Sequence, residues 1–99
     1  MSERTSWAQK RSEILGRPGA GAAYDAAQLR FELGAAVRSR REELGLTQSE
    51  LADRAGMRQP AVARFEAGGT TPTIPVLERL ADALELHLRV EFEPTRAAG

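Results

Sequence analysis

A chain of 99 residues is enough for one small domain with a modest core. It has no cysteine, hence neither a disulfide framework nor thiolate chemistry, and its one histidine, His87, cannot supply a His-rich metal site, so neither metal nor cofactor is expected. The 14 basic and 14 acidic side chains cancel, which removes the broad positive field of a non-specific polyanion binder. Every basic residue except Lys10 is arginine, the side chain suited to bidentate recognition of phosphate and guanine, so position matters more than number. No apolar run reaches membrane-spanning length, and no basic segment leads into an apolar one at the start. Neither a span nor a signal peptide is expected, which places the mature chain in the cytoplasm with its start near Met1.

Trp7, Arg11, Ile14 and Leu15 fall on one face of a short helix within residues 1–15. The stretch GRPGAGAA, residues 16–23, is too rich in glycine for a stable helix and reads as a linker. Residues 1–23 are therefore set apart from a folded domain over 24–93, with a tail at 94–99. From Asp25 to Leu44, Leu29, Leu33, Ala36, Val37 and Leu44 repeat with helical spacing, and Gly45 ends the run. Thr47 and Glu50 form a T-x-x-E capping box that starts a second helix, which reaches Ala55 before Gly56. A third runs from Gln59 to Ala67, with Pro60 in its first turn and Gly68-Gly69 beyond its end. Thr73 caps a fourth, carrying Leu77, Leu80, Ala81 and Leu84. The period then changes: Leu86, Leu88, Val90 and Phe92 alternate with His87, Arg89, Glu91 and Glu93, the pattern of a half-buried strand ended by Pro94.

Two short helices joined by a tight turn need a small residue where they cross, a glycine at the turn and apolar residues that lock the angle. Residues 48–65 supply Ala52, Gly56 and Val62 for these roles, with Leu51, Met57 and Phe65 completing the wedge. Nothing resembles a convergent catalytic pair: His87 lies among surface-type residues and the carboxylates are scattered over polar faces. No catalytic residue is assigned, and the chain is not expected to be an enzyme.

GLTQSELADRAGMRQPAVARFEAG followed by PTIPVLERLADAL resembles the XRE family, the lambdoid repressor and Cro type of helix-turn-helix. The resemblance covers about half the chain, Leu33 to Leu84, and implies an all-α fold, a compact bundle of four to five helices whose third helix enters the major groove of double-stranded operator DNA. It places Gln48 on a phosphate at a helix N-terminus, and Gln59 and Arg64 on base edges. It puts Arg58 at the groove edge, Ala61 near a thymine methyl, and Arg40, Thr70 and Thr71 at the DNA backbone. Pro60 and Ala63 depart from the family pattern, replacing a polar base reader and a serine. In phage repressors an arginine late in the first helix pairs with a glutamate near the end of the recognition helix, and the matching residues here are Arg41 and Glu66.

Around this motif, the Trp-bearing N-terminal segment, the Gly/Pro linker, Tyr24 and the closing LRVEFEP resemble HigA-type antitoxins. Such proteins repress their own operon and neutralise a HigB or RelE-like endoribonuclease toxin; a free-standing XRE-family regulator is the alternative. The stripe of Trp7, Arg11, Ile14 and Leu15 would bind the toxin, fold back on the bundle or stay unstructured. A lone strand leaves its ladder groups unpaired, so Leu86, Leu88, Val90 and Phe92 are expected to pair antiparallel with a second copy, giving a homodimer with two recognition helices about one turn of DNA apart.

Overall fold

The computed structural model describes residues 20–94. The expected helix within 1–15, with Trp7, Arg11, Ile14 and Leu15, the first half of the linker and the last five residues lie outside the described residues. Four helices follow in order: α1 Ala20–Glu43, α2 Gln48–Ala55, α3 Gln59–Glu66 and α4 Ile74–Ala83. Helix α1 starts before the expected Asp25, at Ala20 inside the GRPGAGAA stretch read as linker. Ala20, Ala22 and Ala23 are strong helix formers and outweigh the one glycine among them.

Local chemistry sets the boundaries. Gly45, at φ +70°, turns the chain out of α1, and the Leu46 N–H closes back onto the Arg41 carbonyl at 3.0 Å. Both halves of the capping box are formed: the Glu50 N–H donates to Thr47 Oγ1 and the Thr47 N–H to Glu50 Oε1. The bond donated by the Thr47 N–H, seconded by one donated by the Thr47 hydroxyl, holds the Glu50 carboxyl below its ordinary range. Gly56, at φ +66°, ends α2 in the left-handed conformation that a glycine adopts without steric cost. Pro60 occupies the first turn of α3, and Thr73 caps α4 by accepting from the Val76 N–H.

Residues 27–89 pack as one unit. Its core is built by Leu51, Ala52 and Ala55 of α2, Val62 and Phe65 of α3, and Leu80, Ala83 and Leu84 at the end of α4. Leu33 and Val37 of α1 close the cluster from the side, together with Leu44 just past its end, Met57, Val76 and Leu77. Leu29 and Ala36 share the helical spacing of Leu33 but remain exposed, because the core backs only part of α1.

The expected C-terminal strand needs correcting. Among the described residues there is no strand, and residues 86–94 hold neither helix nor ladder. Leu86, Val90 and Phe92 are 46, 63 and 102% exposed, with only Leu88 half-buried. A strand exists only with a second edge to bond, and none is present among the described residues, so the pairing of 86–92 across a dimer is not part of the observed fold.

Gly34 decides how closely α1 approaches α3. It is buried, and a Cβ added there would stand 2.5 Å from the backbone carbonyl oxygens of both Phe65 and Glu66. Those atoms belong to a helix and cannot rotate aside. Alanine gains about 1 kcal/mol of intrinsic helix preference over glycine, but overpacking against immobile backbone exceeds that gain. Gly34→Ala is expected to destabilise the fold by about 2 kcal/mol, read as a lower urea midpoint at unchanged slope. A midpoint equal to or above that of the wild type would disprove this close approach.

Candidate nucleic-acid interface

Helix α3 presents two chemically distinct sides. Val62, Phe65 and Glu66 face inward, Gln59, Ala61 and Ala63 lie at the margin, and Arg58, Pro60 and Arg64 are exposed. The outward side therefore carries two arginines, while the helix's only carboxylate is buried.

That carboxylate is neutralised in place. Arg41 Nε donates to Glu66 Oε2 at 2.7 Å and Arg41 Nη2 to Glu66 Oε1 at 3.0 Å, a bidentate pair whose side chains are 12 and 4% exposed. Arg41 Nη1 donates in addition to the Leu46 carbonyl at 2.8 Å, tying the α1–α2 turn to the same guanidinium. Burial alone pushes the Glu66 carboxyl up; the hydrogen bonds from Arg41 and Gln48, with the nearby charges of Arg41 and Arg38, outweigh it and hold the group below its ordinary range.

Gln48, at the start of α2, extends the pair toward α3. Its Nε2 donates to Glu66 Oε1 at 3.0 Å, and its Oε1 accepts from Gln59 Nε2 at 2.8 Å. An ionised carboxylate only accepts, so Glu66 fixes the polarity of the Gln48 amide, and that amide fixes which atom of Gln59 turns inward. The Gln59 Oε1 and one amide hydrogen are left for an external ligand, an acceptor beside a donor. Adenine presents the complement, N6–H beside N7, in the major groove.

The other expected backbone contacts are placed differently. Arg40 Nε donates to the Leu84 carbonyl at 3.0 Å and Nη1 pairs with Glu43, so this arginine closes the C-terminal end of α4. Arg54 Nη1 reaches the Ala83 carbonyl from α2. Thr70 is half-buried and Thr71 exposed in the α3–α4 loop. That loop is held to α1 where Arg30 Nε donates to the Gly68 carbonyl at 3.4 Å. Neither the amide chain from Glu66 to Gln59 nor the structural use of Arg40 was legible from motif spacing. The one available signal was Gly34, a glycine in mid-helix where alanine serves better.

With this geometry in view, comparison with known proteins is specific. Residues 37–90 match the family model HTH_3, helix-turn-helix. The chain belongs to this XRE-type helix-turn-helix family. Within it, an uncharacterised HTH-type transcriptional regulator of Methanothermobacter thermautotrophicus is 42% identical over 48 residues, which cover 48% of this chain and 70% of the relative. Antitoxin HigA1 of Mycobacterium tuberculosis is 42% identical over 53 residues, 54% of this chain and 36% of the antitoxin. The matched stretch thus spans about a third of HigA1. Among solved structures, the restriction-modification controller protein C.AhdI from Aeromonas hydrophila aligns with a TM-score of 0.57 at 28% identity, over 59% of this chain and 88% of the controller protein.

The protein is accordingly a DNA-binding regulator of the XRE type, a class of transcription regulators and not of enzymes. No described helix is long and apolar enough to cross a membrane. Among the described residues no group of three or more His, Cys, Asp or Glu is placed to hold a metal.

The ion pair sets a stability expectation. Arg41→Ala leaves Glu66 buried without its bidentate partner and is expected to cost on the order of 3 to 5 kcal/mol at neutral pH, whereas Arg58→Ala removes an exposed charge and stays within about 0.5 kcal/mol of the wild type. Because the folded Glu66 carboxyl titrates below its unfolded value, the stabilisation is complete above the ordinary carboxylate range and is lost as pH falls through the lowered value. The gap between wild type and Arg41→Ala should therefore narrow in acid, where a protonated Glu66 is no longer a stranded charge. Thermal melts of the three proteins at neutral and acid pH measure this, and equal shifts for both variants would rule out a structural role for Arg41.

Proposed function

We propose that this protein is a sequence-specific repressor of its own operon, acting from the cytoplasm as a homodimer on double-stranded operator DNA, and that it serves as the antitoxin to a HigB or RelE-like endoribonuclease. The observation that carries the repressor reading is the composition of α3: Arg58 and Arg64 outward, Gln59 held at its edge by Gln48, and the helix's single carboxylate buried and paired. Arg64 and Gln59 read base edges, Arg58 sits at the groove margin, Ala61 approaches a thymine methyl, and Thr70 and Thr71 contact the DNA backbone. Gln48 serves through Gln59, adding a phosphate contact only with the amide hydrogen that Glu66 leaves over. Arg40 stays out of the reading set, since Leu84 and Glu43 hold it. Two copies of α3 about 34 Å apart would meet successive major grooves on one side of the duplex.

The antitoxin role is supported by the likeness to the antitoxin HigA1 of Mycobacterium tuberculosis. The stripe of Trp7, Arg11, Ile14 and Leu15, which precedes α1 in the chain, is its proposed toxin contact, an apolar face suited to docking on a partner. A free-standing regulator is the second reading, favoured by the transcriptional regulator of Methanothermobacter thermautotrophicus, of which the match covers the larger share.

A paired assay separates the two activities. Arg64→Ala is expected to lose ~1 to 3 kcal/mol of operator discrimination while still rescuing cells that express the toxin. Deletion of residues 2–23 should do the reverse, sparing the footprint on the protein's own promoter and weakening rescue. Full rescue by the deletion would move the toxin contact onto the bundle, and no rescue by the wild type would leave the free-standing regulator.

A further inference from the structure

We infer that Gly69 is a specificity-determining residue that acts by positioning Arg64: the missing side chain at 69 sets how the arginine is aimed at a base edge. The inference rests on the operator reading just proposed and deepens it. Two glycines follow α3, and the turn accounts for only the first. The Gly68 N–H donates to the Phe65 carbonyl at 3.0 Å and the Gly69 N–H to the Arg64 carbonyl at 2.9 Å, the paired closure in which one left-handed residue ends a helix. Gly68, at φ +78°, is that residue. Gly69 has no positive φ, so its backbone is open to any residue, and it is exposed, so no crowding in the core demands a glycine either.

A side chain at 69 would meet Arg64. A Cβ built on Gly69 stands 3.2 Å from Arg64 Cγ and 3.4 Å from the Arg64 carbonyl oxygen. At this kind of helix end, the residue in the place of Gly69 commonly lays an apolar side chain against the residue in the place of Arg64. Here that contact is left out, and the stem of the proposed base reader lies in the space it would fill.

The stem contact matters because little else aims this side chain. Arg30, Arg40, Arg41 and Arg54 each donate to a carbonyl or carboxylate of the bundle, whereas among the described residues no hydrogen bond or ion pair holds the exposed Arg64 guanidinium. A displacement at Cγ is carried outward to the guanidinium, and the bidentate fork that matches guanine O6 and N7 tolerates an error of only about 0.5 Å. A side chain at 69 thus changes what α3 reads without touching the DNA itself.

Gly69→Leu in the full-length protein tests the role, with Gly69→Ala as the smaller step. Gel shifts on single-base variants of the protein's own promoter give a discrimination profile, and the position whose preference Arg64→Ala erases is the one Arg64 reads. Gly69→Leu is expected to cut the preference there about tenfold and to leave the other positions within about twofold, with Gly69→Ala falling between it and the wild type. In an Arg64→Ala background Gly69→Leu should change nothing further, because its effect passes through Arg64. Its melting temperature should equal or exceed that of the wild type, since leucine restores the apolar contact usual at such a helix end. Nuclear Overhauser contacts between the Arg64 γ-protons and the Gly69 α-protons report the seat without DNA. Absence of those contacts, an unchanged preference at the Arg64 position, a loss spread evenly over the profile or an additive double variant would each overturn the positioning role and leave the repressor reading standing. A wild type without a sequence-preferring complex would overturn both.

Discussion

The buried pair of Arg41 and Glu66 is the constraint to which the other parts of this small unit are fitted. One guanidinium binds the carboxylate with two hydrogen bonds and the α1–α2 turn with a third, so α1, the turn and α3 share a single anchor. Desolvating two charges is costly, and such a pair is rewarded only where geometry is good and the remaining lone pairs are satisfied. Here Gln48 satisfies one of them, and no buried side-chain polar atom among the described residues lacks a partner. The pair forms only because α1 passes close to the end of α3, and it does so at Gly34, which has no side chain to hold the helices apart.

The same pair resolves how a chain with zero net charge can bind a polyanion. The sum over all residues is uninformative, because in the proposed complex the field met by DNA is that of the outward side of one helix. On α3 the acid is inward and matched, while Arg58 and Arg64 remain exposed. Other acids serve elsewhere: Glu50 closes the α2 capping box, Glu43 pairs with Arg40, and Glu85 lies 3.8 Å from Arg54. Helix ends and turns thus employ carboxylates that would otherwise oppose the nucleic-acid face.

What was legible in the sequence followed local rules. Thr47 and Glu50 are three residues apart, Gly56 ends α2 by its own conformational freedom, and Pro60 suits only a first turn, so α2 and α3 were readable without tertiary knowledge. Features made by residues distant in sequence were not. Gln48 bridges Gln59 and Glu66 across 11 and 18 positions, and no periodicity marks such a chain. Helical spacing told which side of α1 carries Leu29 and Ala36 but not how far along the helix the core reaches. Residues 86–92 failed differently: alternation records that one side of a segment is apolar, whereas a ladder requires a second edge, and the described residues hold none.

Stability and recognition meet in one amide. Gln48 completes the hydrogen bonding of Glu66 through its nitrogen and orients Gln59 through its oxygen, so the group that satisfies the buried acid also sets which atoms of Gln59 are left for the proposed base contact. Removing its side chain withdraws one hydrogen bond from a buried carboxylate and frees Gln59 to rotate. The two consequences do not add as independent sites would, because both pass through the polarity that Glu66 imposes. A protein of this size has few fully buried side chains with which to fix the angle between two eight-residue helices. Directional hydrogen bonds to one buried carboxylate supply that precision: apolar packing at Val62 and Phe65 holds α3 in place, while the chain from Arg41 to Gln59 determines how its reading edge is turned.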